Sequence, residues 1–254
     1  MKNGNGFLIS EKIKGRGLPL IEGLPDVGLV GTIASSYFLS SLQSELVGHI
    51  EIDDLPPIVT IQSSKILEPC RLYLCSDGNV ETCMILSDVP VPSQSIWSTA
   101  NSILEIGHIL NSTVISVGGI PEPNRLDIEK PEIYVVSNDE DVQRKALETG
   151  YSSQFENGFI TGMKAALLRN ASRKRVKVLV ALAQSHMNYP DPGAAAEVVV
   201  FLNKFLGLNV SVEPLREQAE RLKMQLRDLM RRTTASMARI PKGLELETTP
   251  HYIR

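Results

Sequence analysis

Two apolar runs constrain this chain more than any other feature. Val176 to Ala183 is a nearly continuous apolar segment, and Thr113 to Val117 is a shorter one. A strand with one wet face alternates apolar and polar residues, whereas a continuous run has no wet face. Such runs belong in a parallel sheet covered on both sides. Stretches of helical periodicity separate the strand candidates. The pattern therefore predicts an α/β architecture, a mixed or mainly parallel sheet flanked by helices on both faces.

Around those runs the other elements can be placed. A short strand is expected near Phe7 to Ile13, and Asp26 is positioned to cap a helix from Val27 to Leu46. Strands are expected at His49 to Ile52, Ile58 to Gln62, Leu72 to Cys75 and Val80 to Leu86, with a tight turn at Asp77-Gly78-Asn79. A helix from Ser93 to Leu110 leads into the Thr113 strand, after which Gly118 to Pro123 reads as a loop. Ile133 to Val136 reads as a strand, and Asp139 to Thr149 and Phe159 to Ala171 read as helices. Pro192 suits the first turn of a helix that Gly207 ends.

The last helix, Glu213 to about Arg232, carries an apolar stripe at Leu215, Ala219, Leu222, Leu226 and Leu229. That stripe is too short for a coiled coil and suits packing on its own domain. Its acidic residues come early and Arg227, Arg231 and Arg232 late, which matches the helix dipole without invoking a nucleic acid. From Thr233 to Arg254 no period is sustained, and a flexible tail is expected. The expected organisation is a single α/β domain over residues 1–232 followed by a tail, 233–254.

A chain of 254 residues can bury a core without disulfides or metals. Its 43% hydrophobic and 22% charged content excludes wholesale disorder, and a net charge of −3 gives no overall basic field for nucleic acid or anionic membrane. The three cysteines suit a reducing compartment. Cys70 and Cys75 stand at an odd offset on a strand, hence on opposite faces, which argues against a shared metal. The start resembles no signal peptide and no segment approaches a membrane span, so a cytoplasmic location without membrane contact is expected.

The four histidines, His49, His108, His186 and His251, form no metal-spaced pair. His186 stands near Ser185, Tyr189 and Asp191, which invites a triad, but an adjacent serine does not reach triad geometry readily. No catalytic, cofactor-binding or metal-ligating residue is therefore assigned. The turn Gly23-Leu24-Pro25-Asp26-Val27-Gly28-Leu29-Val30-Gly31 could hold an anion on free N–H groups. It lacks the P-loop ending and the dinucleotide glycine spacing, and the other reading is that Gly28 and Gly31 let a helix approach another backbone. In the second cluster, Tyr189-Pro190-Asp191-Pro192-Gly193-Ala194-Ala195-Ala196, Pro190 extends Tyr189, Asp191 caps and Pro192 starts a helix.

These two clusters, the Gly158-x-x-x-Gly162 helix start, Leu206-Gly207-Leu208 and the terminal helix occur in the order of one family. From Leu18 to Arg232 the sequence resembles the proteasome assembly chaperone family, second type, as an archaeal member. The resemblance implies a fold related to purine nucleoside phosphorylases and peptidyl-tRNA hydrolases, homo-oligomers, no catalytic residues, and binding to the α-ring of the proteasome core. It makes Gly23, Pro25, Asp26, Gly28, Gly31, Tyr189, Pro190, Asp191 and Pro192 structural or interface positions. The partner-binding element of such relatives is a C-terminal hydrophobic–tyrosine–any-residue tail. Here Tyr252, Ile253 and Arg254 put the tyrosine third from the end instead of second. The function expected is a non-enzymatic, homo-oligomeric chaperone or adaptor of proteasome core α-subunits, without cofactor. Self-association is expected through the helix bearing Leu215, Leu222 and Leu229 or through the small-residue face near Gly28 and Gly31. The alternative, from fold analogy, is a hydrolase or phosphorylase acting on a nucleoside or peptide-like substrate.

Overall fold

The computed structural model describes residues 6–237, and beyond residue 225 the helix backbone alone. In chain order the elements are β1 (Phe7–Ile9), β2 (Leu20–Glu22), α1 (Val30–Ser41), β3 (Gln43–Ile50), β4 (Thr60–Gln62), β5 (Lys65–Leu67), β6 (Cys70–Ser76) and β7 (Glu81–Ser87). There follow α2 (Ile96–Leu110), β8 (Val114–Pro121), β9 (Ile133–Ser137), α3 (Glu140–Glu148), β10 (Ser153–Gln154), α4 (Gly162–Lys174), β11 (Val178–Ser185), α5 (Pro192–Leu206) and α6 (Glu213–Met237). Nine strands form one mixed sheet in the order β1-β3-β6-β7-β2-β8-β11-β9-β10, and β4 and β5 form a separate hairpin. The middle of the sheet, β7-β2-β8-β11, is parallel.

The two apolar runs become parallel neighbours, with Val178 opposite Val114 and Ala181 opposite Val117. Along β11 the side chains divide between two cores. Leu179, Ala181 and Ala183 join one with α1, α3, α5 and Leu215 of α6, while Val178, Val180 and Leu182 join the other with α2 and α4. A strand covered on both faces has no use for polar alternation, which is why its sequence shows none. Cys70 and Cys75 fall into opposite cores, and all three cysteines are free and buried. Burial pushes the Cys70 and Cys83 thiols up to about 12, so they are inert packing groups. Among the described residues no helix is long and apolar enough to cross a membrane.

Several boundaries differ from expectation. The helix expected from Val27 to Leu46 is a 3-10 turn over Val27–Leu29 followed by α1, which stops at Ser41. Residues 43–46 have adequate helix propensity, but their backbone pairs with β6, Gln43 opposite Ser76 and Leu46 opposite Tyr73, and pairing prevails. Gly118 and Gly119 lie within β8 rather than in a loop. Gly162 opens α4, later than the Phe159 expected. Helix α6 continues through Met237, so Thr233 to Met237 are helical rather than tail, in keeping with the lack of any Gly or Pro between Pro214 and Pro241. Residues 238–254 lie outside the described residues.

Phe38 of α1 is fully buried against the sheet, whereas Phe159 is 97% exposed. Phe38→Ala should cost about 3–5 kcal/mol in urea denaturation. Phe159→Ala should stay within about 0.5 kcal/mol of the parent.

Candidate functional site at the strand ends

Strand β2 stops early. Its last residue, Glu22, pairs with Ser116, while β8 continues to Pro121 and β11 to Ser185. The chain leaving β2 must therefore cross the faces of its neighbours, and side chains would hold it off. Glycines remove that obstacle. A Cβ on Gly31 would lie 2.5 Å from the Val117 carbonyl oxygen, and one on Gly23 would lie 2.5 Å from the Gly31 carbonyl oxygen. A Cβ on Gly119 would lie 3.0 Å from Cβ of Ser185. Gly28 has φ +62°, and a Cβ there would stand 2.9 Å from the His186 carbonyl oxygen. The carbonyl of Gly28 accepts from the Asp191 N–H at 2.9 Å. The two motif turns, whose bonded residues Gly28 and Asp191 are 163 positions apart (191 − 28), thus dock directly on one another.

Asp191 does what its place before Pro192 predicts, and more. Its carboxylate accepts from Ala194 N at 2.9 Å, capping α5, and from His186 N at 3.1 Å. It also accepts from Arg125 Nε at 2.8 Å and Nη2 at 3.1 Å in a bidentate pair. Both partners of this pair are buried, as such a pair can be when each of its side-chain nitrogen and oxygen atoms has a hydrogen-bond partner, which is the case here. Arg125 also donates Nη1 to the Ile128 carbonyl at 2.7 Å. Pro192 is buried at the start of α5, while Tyr189 and Pro190 are exposed. The Tyr189 ring meets the His186 ring edge-on, centroids 6.3 Å apart.

Asp26 departs from its expected role. It makes no capping bond, because Gly28 and Leu29 both have positive φ and turn the chain away before α1 begins. Its Oδ2 instead accepts from Gly119 N at 3.2 Å and pairs with Lys164 Nζ at 2.7 Å. The pair lies over Gly118, whose missing side chain makes the space. Beside it, buried Glu22 accepts from Leu24 N at 2.9 Å through Oε1 and from the Ser116 hydroxyl through Oε2. Burial pushes the Asp26 carboxyl up against the pull of Lys164. For Lys164 burial acts downward, but Asp26 and Glu22 overcome it and hold the ammonium above its ordinary value. With Pro25, these groups line a cavity of about 350 Å³.

Glu22, Arg125 and Lys164 escape a sequence reading. The one signal for Glu22 is a carboxylate between Ile21 and the Gly23 turn, where a strand end is otherwise apolar. Chemistry at His186 finds little support. The Ser185 hydroxyl donates to the His186 carbonyl at 3.2 Å rather than to an imidazole nitrogen. Gly28 and Gly31 are buried against the chain's own strands, which leaves them no outward face. A larger groove of about 760 Å³ lies open beside α3 and β9, but its Arg144 and Glu148 are exposed and paired with each other or with Asp141. Among the described residues no group of three or more His, Cys, Asp or Glu side chains is placed to hold a metal. Tyr252, Ile253 and Arg254 lie outside the described residues.

Comparison with known proteins matches residues 20–230 to the profile of the PAC2 family. Among solved structures, PbaA of Pyrococcus furiosus, described as an archaeal homolog of proteasome-assembly chaperone, superposes with a TM-score of 0.75. It is 31% identical, with 91% of this chain and 98% of that chain covered. PbaB of the same organism, described as an archaeal proteasome activator, gives a TM-score of 0.74 at 22% identity, covering 88% and 98%. An uncharacterised protein of Methanocaldococcus jannaschii is 26% identical over 237 residues, 93% of this chain and 95% of that one.

The docked turns imply a pH response. Burial pulls the His186 imidazole below its ordinary value of 6.5, Asp191 opposes this, and Arg125 adds to it. Its contribution to stability is therefore complete above 6.5 and is lost as pH falls through the lower folded value. Two-dimensional NMR titration of the ring protons should place the His186 midpoint below 6.5.

Proposed function

The chain belongs to the PAC2 family, and from that premise we propose that it is a non-enzymatic, homo-oligomeric chaperone or adaptor of the proteasome core particle. The observation that carries the proposal is the likeness to PbaA, which exceeds 30% identity and spans nine tenths of the chain. The site supports binding over chemistry. Its buried carboxylate Asp191 is committed to capping and to Arg125, and Ser185 is committed to a backbone carbonyl. The partner is the α-subunit ring of the core, reached in the cytoplasm.

In this proposal contact is made through Tyr252, Ile253 and Arg254. Tyr252 supplies an aromatic anchor and Ile253 apolar area, for recognition of an extended chain end. One such segment binds weakly because it loses freedom on docking. Several presented together by an oligomer to a symmetric ring gain through effective concentration. The tyrosine stands one residue further from the end than in the hydrophobic–tyrosine–any-residue tail that the family resemblance implies, a displacement of about 3 Å in an extended chain.

Co-purification of archaeal proteasome α-subunits with the full chain and with a variant lacking Tyr252 to Arg254 tests this. The full chain should retain α-subunits, and light scattering should give it a mass above the monomer. The shortened chain should keep its mass and lose the α-subunits. Equal retention by both would remove the tail from the mechanism, and no retention by either would overturn the chaperone proposal.

A further inference from the structure

Hairpin β4–β5 stands apart from both cores. Ile61 and Ile66 lie opposite one another across it and are 64% and 73% exposed, and Ile58 and Val59 beside them are exposed too. None of the four joins either core. Two strands of three residues each are marginal by themselves. Their turn adds strain, because Ser63 and Ser64 both take positive φ, +49° and +63°, where Asn and Gly are at ease. Contiguous exposed apolar residues on such a hairpin mark a contact surface.

The charge around the hairpin is one-sided. From Gly17 to Ser64 the chain has six acidic residues and no Lys or Arg. Among them Asp53 and Asp54 lead into the hairpin, Glu68 follows it, and all three are exposed. From Asn157 to Pro190 the reverse holds, with six Lys and Arg residues and no Asp or Glu. Lys164 and Lys177 are paired within the chain, with Asp26 and Asp139. Arg169, Arg173, Lys174 and Arg175 are exposed on α4 and its cap. The Arg169 guanidinium lies over the ring of Trp97 on α2, 5.4 Å from its centroid, and Trp97 is 46% exposed. Trp and Arg are the residues that most often carry the energy of a protein–protein contact. The face of α2 and α4 thus offers the aromatic area and positive charge that suit an apolar hairpin with acidic flanks. Leu39 and Tyr73, which line the groove beside the hairpin, pack on the α1 core, whereas α2 and α4 cover the other face of the sheet.

Resting on the homo-oligomer reading above, we propose that hairpin β4–β5 of one copy docks on the α2–α4 face of the next. Ile61 and Ile66 lie against Trp97, and the acidic residues flanking the hairpin meet the cations of α4. The two patches differ, so the contact is heterologous: each copy offers one hairpin and one face, and successive contacts close into a ring or extend. Contact of hairpin with hairpin, or of face with face, would set like charges together.

Light scattering on two variants of the full chain, and on their mixture, tests the contact. Ile61→Lys with Ile66→Thr alters the hairpin and sets a cation against the basic face. Arg169→Glu with Arg173→Glu reverses two charges at exposed helix positions. Each variant should be monomeric where the parent is not, with self-association weakened at least about tenfold. Mixed in equal amounts, the two should form a two-chain complex and nothing larger, since one brings an intact face and the other an intact hairpin. A monomeric parent would overturn the homo-oligomer reading, and this contact with it. An oligomeric parent whose variants keep its mass, or variants that stay monomeric when mixed, would overturn this contact alone and leave the hairpin and the cations to unlike partners. Where circular dichroism shows a variant unfolded, Ile66→Ser, or Arg169→Gln with Arg173→Gln, takes its place under the same expectations.

Discussion

The structure depends on one contact of backbone against backbone, where the turn from Gly23 to Gly31 lies on the ends of β8 and β11. Nothing holds the two apart, because side chains are missing on both sides, at Gly23, Gly28 and Gly31 of the turn and at Gly118 and Gly119 of the strand. The approach lets the Gly28 carbonyl meet the Asp191 N–H, which fixes the second turn and the start of α5. Two helices on the same face of the sheet are thereby placed relative to each other by main-chain geometry. Left-handed φ at Gly28 and Leu29 is part of the cost, and the buried contacts around them sustain it.

The buried charges follow from the same crowding. Gly118 leaves room on one face for the Asp26–Lys164 pair, and the turn of residues 185–191 brings Asp191 beneath Arg125 on the other side of the site. The two pairs are finished to different degrees. Arg125 and Asp191 have their hydrogen bonds met within the chain, as a structural pair should. In the other pair, Asp26 Oδ1 is left without a donor.

The sequence discloses the architecture where one residue pattern has one physical meaning. Continuous apolar runs became the buried parallel strands β8 and β11, and Pro192 and Gly207 bound α5 as expected. It fails where tertiary pairing decides. Strand β2 sits at the centre of the sheet but has only Leu20, Ile21 and Glu22, too few residues to show a period. Residues 43–46 read as helix until β6 is there to pair with them. At the site, the glycine turn and the Tyr-Pro-Asp-Pro turn were legible as two motifs, but not that they touch. Arg125 and Lys164, the partners of their two aspartates, lie 66 and 138 positions away, at distances in sequence that no local pattern spans.

Equilibrium unfolding of Gly28→Ala tests the dependence on main-chain contact most directly. Alanine there must adopt φ near +62° and set its Cβ 2.9 Å from the His186 carbonyl oxygen. Left-handed strain and overpacking together predict a loss of about 2–5 kcal/mol relative to the parent. The amide of Asp191 should also exchange faster with solvent, since its acceptor on Gly28 is displaced. Parental stability with an unchanged Asp191 amide would contradict the account.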